Sequence, residues 1–298
     1  MINFLKRTLI GLANGSAPIR RVAAFITENA LSGEKPRDTY GNLKQRFVSL
    51  GEGSRFDTAT RLEIVRRFER IDREIPMGSS STDGLFLAEM LLSIDAEGAV
   101  VECGCYAGGS SSKLSIIARL LGRELVICDS FEGLPVAESR YLRDLHCRRS
   151  TEWVSDWTAS RYAASLDDVR ENIGKFGELS VCRFVKGWFS ETLTDENLPK
   201  RVALAFADVD LANSARDCMV AIWPRLSEKG IYATHDTAYI KVLQELYRPE
   251  LWRNTFKSTP PILFGAGYGL CDSSPHLGYM VKGDDLTAEY LKSLTIDK

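Results

Sequence analysis

The 298-residue chain lacks several features that mark large classes of protein. No apolar run approaches the roughly 18–20 residues that span a bilayer, so we expect no membrane-spanning segment. Lys and Arg total 38 against 40 Asp and Glu, and the formal net charge is -2. Because this balance leaves no excess of positive charge to neutralise phosphates, we expect no nucleic-acid partner.

A cysteine framework is also missing. The seven cysteines are odd in number and include no Cys-x-x-Cys pair, which disfavours both disulfides and a zinc site. Cys103 and Cys128 lie inside apolar, strand-like runs, so we expect free, buried thiols. The stretch before Asn14 contains too few apolar residues for a secretory leader. We therefore expect a cytoplasmic enzyme.

The N-terminal region, predicted as residues 1–97, has a helical pattern. Apolar residues recur at helical spacing from Ile64 to Ile75, and Asp57 or Thr58 stands where a helix cap is needed. Four basic residues and no acidic one lie in the first 27. We interpret the region as a lid or dimer contact packed on the rest of the chain, with a membrane-surface segment as the alternative.

The second region, predicted as residues 98–298, alternates strand patterns with helix patterns. Strands are predicted at 99–103, 124–128, 181–185, 202–207 and 231–234, and helices at 110–121, 166–176, 213–226 and 242–252. Lys229-Gly230 is expected to close the helix at 213–226, and a final hairpin is expected within 260–281. Strands joined by helical crossovers predict an α/β fold with a mainly parallel sheet.

Acidic residues follow or end four of these strands. They are Glu102, Asp129, Asp208 and Asp236. In an open parallel sheet, ligands bind outside the carboxyl ends of the strands. The sequence therefore predicts a site at that edge, covered by a polar insertion at 139–160.

A glycine loop joins the first strand to the next helix. It reads Glu102-Cys-Gly104-Cys-Tyr106-Ala-Gly108-Gly109-Ser110. A dinucleotide fingerprint, GxGxxG, needs its second glycine where Tyr106 stands, and no Gly-Lys-Ser/Thr follows as a P-loop requires. An acid two residues before a GxxxGG loop instead resembles the first motif of class I S-adenosylmethionine-dependent methyltransferases. Asp129, about 20 residues further on, is placed to accept hydrogen bonds from ribose hydroxyls.

Longer strings sharpen this resemblance. They are VVECGCYAGGSSSKLS, ICDSFEGLP, VKGWFSETL and DVDLANSARDCMVAIWPRLSEKG. In this order and spacing, over roughly residues 60–240, the chain resembles the macrocin O-methyltransferase family, whose members methylate sugar hydroxyls on natural products. The resemblance implies a Rossmann-like fold with a mainly parallel seven-stranded sheet, helices on both faces and an N-terminal helical lid. It also implies S-adenosylmethionine as cofactor and a hydroxylated small-molecule acceptor, and we expect a homodimer.

The resemblance also assigns cofactor residues. The methionine part of the methyl donor falls to Glu102, Gly104, Tyr106, Gly108, Gly109 and Ser110. The ribose falls to Asp129 and Ser130, and the adenine to Gly187, Trp188 and Phe189. A plain core aromatic pair remains the alternative interpretation of Trp188 and Phe189.

In that family an Asp after the fourth strand and an Asp-Asp pair after the fifth hold a divalent cation, usually magnesium. Asp208 and Asp236 match the first and last of these, but His235 replaces the first Asp of the pair. Magnesium prefers oxygen ligands, whereas imidazole suits zinc, iron, nickel or copper. We therefore expect either a different cation held by Asp208, His235 and Asp236, or no cation and His235 as general base.

For the reaction we expect Asp210 or His235 to remove the acceptor's proton, while Asp208 and Asp236 anchor a metal or polar group. Two other functions stay open. The glycine loop could hold NAD(P) in an oxidoreductase, which Tyr106 disfavours. The chain could also be a non-catalytic binding protein, because His235 and Ala212 depart from the family pattern.

Overall fold

The computed structural model describes residues 39–135 and 162–283. Within these residues the strands are β1 (Ala99–Cys103), β2 (Leu125–Asp129), β3 (Cys182–Lys186), β4 (Val202–Ala207), β5 (Leu226–Thr234) and β6 (Gly278–Val281). They form one sheet in the order β3-β2-β1-β4-β5-β6. The first five strands pair in parallel, and β6 pairs antiparallel to β5. The predicted α/β fold with a mainly parallel sheet is confirmed.

The helices of the described residues flank this sheet. They are α1 (Tyr40–Ser49), α2 (Thr58–Glu74), α3 (Ser81–Ser93), α4 (Gly109–Leu121), α5 (Leu166–Phe176), α6 (Phe189–Thr192), α7 (Ala212–Ile222) and α8 (Ile240–Leu246). Short 3₁₀ turns at Leu179–Val181 and Trp223–Arg225 and a π-type turn at Leu251–Phe256 complete the elements.

Each face of the sheet has its own hydrophobic core, because successive strand residues point to opposite faces. Val100 belongs to the core under α1–α5, and its neighbour Val101 belongs to the core under α7 and α8. β1 and β4 are buried throughout, as expected for central strands covered on both faces.

The helices of the N-terminal region belong to the first of these cores. The predicted stripe of α2 is buried from Ile64 to Ile75, and the Asp57 side chain caps the helix by accepting a hydrogen bond from the Thr60 N–H at 2.8 Å. A buried ion pair between Arg61 of α2 and Glu89 of α3 fastens the two helices. The described part of the region, from residue 39 on, therefore lies against the sheet core rather than apart from it; its predicted boundary at 97 and its predicted dimer contact remain predictions.

The chain after β4 differs from the predicted pattern. The helix predicted at 213–226 ends at Ile222, and Pro224 stands at the start of the 3₁₀ turn that follows. β5 already begins at Leu226, so Lys229-Gly230 lies inside the strand instead of closing a helix. The strand needs glycine there because a Cβ on Gly230 would lie 2.7 Å from the Ser227 carbonyl oxygen.

The C-terminal elements differ as well. The helix predicted at 242–252 is divided into α8 and the π-type turn, with Pro249 between them, since proline lacks the N–H that helix continuation needs. Of the predicted final hairpin, one arm is β6 and the other is a single bridge between Phe264 and Tyr279. The described residues therefore form six strands where seven were predicted. Pro260 and Pro261 cannot donate to a ladder, which accounts for the missing strand.

Some predictions lie outside the described residues. These are the basic N-terminal segment and the insertion at 139–160, which falls within 136–161. The cysteines in the described part are free, as predicted, at 103, 105, 128, 182, 218 and 271. No helix in that part is both long and apolar enough to cross a membrane.

Candidate functional site

A cleft of about 430 Å³ opens at the carboxyl ends of β1, β2, β4 and β5. It is lined by Gly104 after β1, Asp129 at the end of β2, Asp208 after β4 and His235 after β5. This is the sheet edge at which the sequence predicts ligand binding. We call the part around Gly104, Asp129 and Trp188 the glycine-turn end, and the part around Asp208 and His235 the carboxylate end.

The glycine turn passes very close to the neighbouring strand end. Gly104 has a φ of 83° and donates its N–H to the Cys128 carbonyl at 3.0 Å. A Cβ at this position would lie 1.9 Å from the Asp208 carbonyl oxygen. Only glycine tolerates both this left-handed φ and the close contact with the Asp208 carbonyl, so the loop backbone can lie directly against the end of β4.

Tyr106 occupies the position where a dinucleotide fingerprint has glycine. It adopts a left-handed φ of 47°, which costs energy for a bulky residue and often marks a functional site. Its ring meets Tyr162 edge-on at 5.2 Å, and both residues line the cleft. The side chain at 106 therefore forms cleft wall where that fingerprint would leave open space.

Glu102 lies beneath the cleft and is fully buried. Its Oε2 accepts a hydrogen bond from the Ser111 hydroxyl, while its Oε1 has no hydrogen-bond partner among the described residues. Burial raises the pKa of Glu102 to about 8, although the Ser111 hydroxyl and the nearby Ser110 side chain oppose the rise. The residue is thus an incompletely satisfied buried acceptor, and a nearby cation would favour its ionised form.

Asp129 organises the loops that form the glycine-turn end. Its Oδ2 accepts the Cys105 N–H at 2.7 Å, and its Oδ1 accepts the Phe131 N–H at 2.7 Å. Each carboxylate oxygen has a second lone pair, so these bonds leave acceptor capacity toward the cleft. Ser130, also in the lining, accepts the Glu132 N–H and donates to the Gly133 carbonyl, both at 3.1 Å.

The aromatic wall lies after β3. Gly187 has a φ of 139°, and Trp188 and Phe189 follow it in the cleft lining. Trp188 is 36% exposed, so it is not a core residue, whereas Phe189 also packs against the core under α7 and α8. The core interpretation of this pair thus holds for the second ring only.

The predicted cofactor residues can now be placed as a group. Those that line the cleft are Gly104, Tyr106, Gly109, Ser110, Asp129, Ser130, Gly187, Trp188 and Phe189. Glu102 and Gly108 do not line it: Glu102 lies below the loop, and Gly108, with a φ of 83°, caps the start of α4.

The carboxylate end brings three acids together. One oxygen from each of Asp208, Asp210 and Asp236 lies within 4.8 Å of the others, a grouping that could hold a metal ion. We call these three residues the carboxylate cluster. The fully buried Asp236 accepts the N–H groups of Val209 and Asp210 on Oδ2, both at 3.1 Å, and its Oδ1 has no hydrogen-bond partner in the described chain. Burial and the Asp208 charge raise the pKa of Asp236 to about 7.

His235 lies beside the carboxylate cluster, and its predicted role as a metal ligand stays a prediction. Its Nδ1 lies 3.4 Å from Asp208 Oδ1, and its Nε2 lies 3.2 Å from Asp83 Oδ2. Burial alone would lower the pKa of His235, but the two carboxylates outweigh burial and hold that pKa well above its usual range. Because both ring nitrogens face carboxylates, Asp210 rather than His235 completes the oxygen grouping with Asp208 and Asp236.

Asp83, on α3, is the site residue that sequence reasoning missed. It is fully buried, and its Oδ2 accepts the Ser80 N–H at 2.7 Å and the Ser80 hydroxyl at 2.8 Å. The Ser274 hydroxyl donates to Oδ1. Ser80-x-x-Asp83 is a capping-box pattern in the sequence, but such a pattern indicates a helix start and not a contact with His235.

Comparisons with known proteins place these features in context. The family model for macrocin O-methyltransferase (TylF) matches residues 86–261, more than half of the chain. An enzyme of Streptomyces olivaceus, 8-demethyl-8-(2,3-dimethoxy-alpha-L-rhamnosyl)-tetracenomycin-C 4'-O-methyltransferase, is 32% identical over 168 residues. That match covers 54% of this chain and 62% of the relative.

Two solved structures were compared with the chain. The calicheamicin methyltransferase CalS11 matches with a TM-score of 0.50 and 17% identity over 83% of this chain and 95% of that one. The O-methyltransferase NovP matches with a TM-score of 0.49 and 18% identity over 89% and 99% of the two chains. At such identities the likeness to CalS11 is evidence of the fold alone.

Proposed function

The chain belongs to the TylF macrocin O-methyltransferase family, and on that premise we propose that it transfers a methyl group from S-adenosylmethionine to a hydroxyl of a sugar or glycosylated natural product. The observation that carries the proposal is the cleft itself, which joins the glycine turn and Asp129 to the carboxylate cluster at one sheet edge. We infer the sugar acceptor from the Streptomyces olivaceus relative, whose name gives a rhamnosyl-tetracenomycin as the substrate of that enzyme.

The residues at the glycine-turn end fit this methyl donor. Gly104 lets the loop lie directly against the Asp208 carbonyl, and the buried Oε1 of Glu102, which has no hydrogen-bond partner among the described residues, suits a positively charged ligand met directly or through water. Gly104, Tyr106, Gly109 and Ser110 would then border the methionine part, with Glu102 and Gly108 supporting them from below. The bound donor supplies an already activated methyl group on its sulfonium.

The other residues of this end would hold the nucleoside. Asp129, with Ser130 beside it, has free acceptor capacity for the ribose hydroxyls. Gly187, Trp188 and Phe189 would border the adenine, for which the exposed face of Trp188 offers a stacking surface.

At the carboxylate end, we assign Asp210 as the general base. A neutral alcohol is a poor nucleophile at pH 7, and a positioned base contributes roughly 10²–10⁴-fold. Asp210 lines the cleft and has a φ of 60°, a strained backbone typical of functional positions. His235 is the weaker candidate because both of its ring nitrogens face carboxylates.

The carboxylate cluster also fits a divalent cation. With His235 outside the grouping, every candidate ligand atom is a carboxylate oxygen, which is the preference of Mg²⁺ rather than Zn²⁺. Asp208 and Asp236 would hold the ion beside Asp210, and the Oδ1 of Asp236, which has no hydrogen-bond partner among the described residues, would become one of its ligands. A bound cation would lower the pKa of the acceptor hydroxyl.

Methyl transfer from radiolabelled S-adenosylmethionine tests the proposal. Rhamnosylated tetracenomycin-type acceptors are offered beside the same aglycones without sugar, before and after chelation and with Mg²⁺ restored. We expect label only on the glycosylated acceptors, with loss on chelation and recovery with Mg²⁺. Label on neither class would contradict the activity, whereas label unaffected by chelation would contradict only the cation.

A further inference from the structure

A buried polar cluster behind the cleft connects three distant segments of the chain. Asp83 on α3 lies at its centre, with Ser80 before it, Ser274 from the loop that precedes β6, and His235 at the end of β5. Asp83 and Ser274 are fully buried, and the His235 side chain is 12% exposed. The Ser80 hydroxyl also lies 2.9 Å from the Ser273 carbonyl oxygen, which closes the cluster.

The hydrogen bonds define what Asp83 can offer the histidine. The Ser80 N–H can only donate, and the Ser80 and Ser274 hydroxyls both reach the same carboxylate. An ionised carboxylate accepts and never donates, so the contact at 3.2 Å places a proton on His235 Nε2. The opposite ring nitrogen, Nδ1, is thereby directed at Asp208 of the carboxylate cluster, 3.4 Å away.

We propose that Asp83 is a positioning residue: by accepting the Nε2–H of His235, it fixes the ring orientation that sets Nδ1 against Asp208. The inference rests on the proposed function only for its effect on turnover. Carboxylates that orient a histidine in this way recur in enzyme sites, and their loss typically lowers activity or metal affinity about 10–100-fold. Asp83 itself lies outside the cleft lining and acts through His235.

Alternative roles for Asp83 are structural and can be separated. It completes the capping box of α3 and ties that helix to Ser274, so its loss would lower stability in any case. Glu89 offers a matched control on the same helix: it is an equally buried carboxylate, but its partners are Arg61 and Ser93. Glu89→Gln removes one buried charge from α3 without touching His235.

The test measures the ¹⁵N signals of the His235 ring by NMR, identified by their absence in His235→Gln. We expect an Nε2–H that is protected from exchange with water in the unsubstituted protein, loss of that protection in Asp83→Asn, and no change in Glu89→Gln. Protection that persists in Asp83→Asn would overturn the proposal. Should that variant not fold, the unsubstituted protein decides alone: an Nε2–H of His235 that exchanges as fast as that of a free imidazole would overturn the proposal, and a protected one supports it.

Kinetics provide the second readout. Asp83→Asn should lower kcat about 10–100-fold while leaving the dissociation constant of S-adenosylmethionine within about twofold. In the His235→Gln background the same substitution should cost less than about threefold, because the two residues act as one unit. An undiminished loss in that background would overturn the proposal. The NMR measurement needs neither methyl donor nor acceptor, so it still decides if no methyl transfer is found.

Discussion

The two ends of the cleft hold their acids in different ways. At the glycine-turn end, Asp129 is satisfied by backbone N–H groups of Cys105 and Phe131, so one carboxylate fixes two loops. At the carboxylate end, Asp236 is also held by backbone N–H groups, but three acids lie close to one another and to a histidine. The first arrangement is a preformed cradle for a ligand, whereas the second concentrates negative charge.

This difference indicates a division of labour. Charge packed at close range is costly unless something shares it, and here an imidazole lies between Asp208 and Asp83. Such a site is suited to proton transfer or cation binding, which both need basic oxygens. The glycine-turn end, with its acids paired to the backbone or buried, is suited to holding a ligand still. Substitutions at the two ends should therefore separate turnover from affinity.

The largest separation is expected from Asp210→Asn. If Asp210 accepts the acceptor's proton, turnover should fall roughly 10²–10⁴-fold, since that is the usual contribution of a general base. Affinity for S-adenosylmethionine should stay within about twofold, as measured by calorimetry. His235→Gln is the companion variant: retention of full turnover by both variants would show that neither residue is the base.

The next largest effect is expected on stability, from the tight packing around Gly104. Gly104→Ala places a side chain at a left-handed φ, and its Cβ would lie 1.9 Å from the Asp208 carbonyl oxygen. The backbone would therefore have to move. Gly122→Ala is the matched control, because Gly122 has a φ of 67° but no neighbour within 4 Å. We expect about 1–2 kcal/mol of lost unfolding free energy for the control and at least about 2 kcal/mol more for Gly104→Ala. Equal losses in urea unfolding would contradict the close approach.

The two ends also differ in how far sequence reasoning could reach. The glycine-turn end is made of short contiguous strings, so β1 at 99–103 and the loop after it could be predicted together with Asp129. The carboxylate end depends on a contact between residues 83 and 235, and no local pattern encodes a contact across 152 positions. Gly230 fails for a different reason: its need for glycine comes from the Ser227 carbonyl three residues earlier in β5, and a Lys-Gly pair alone is equally typical of a helix end.

Asp129→Ala tests whether the glycine-turn end determines the affinity for S-adenosylmethionine. Hydrogen bonds to a charged group contribute about 1.5–3 kcal/mol, so affinity for S-adenosylmethionine should fall about 10–150-fold by calorimetry. Asp217→Ala is the control, because Asp217 lines the cleft on α7, away from β2. Its affinity should stay within about twofold. A loss of equal size in both variants would mean that net charge, and not the position of Asp129, governs binding.

The smallest expected effect is a pH dependence that belongs to Glu102. Its pKa is about 8 in the protein without ligand, and a cationic ligand favours the ionised form, so binding below pH 8 must expel a proton. Affinity for S-adenosylmethionine should therefore rise with pH between 6 and 8, by at most about tenfold per unit, and level off above. Glu102→Gln should flatten this rise; an unchanged slope would assign the pH dependence to another group.

The most direct test of the account is a calorimetric titration of the protein with S-adenosylmethionine beside one with NAD⁺. The account predicts saturable one-site binding of S-adenosylmethionine that is weaker in Asp129→Ala. It predicts no binding of NAD⁺, because the Tyr106 side chain occupies the position at which the dinucleotide fingerprint has glycine. Heat from NAD⁺ alone, or from neither compound, would contradict it.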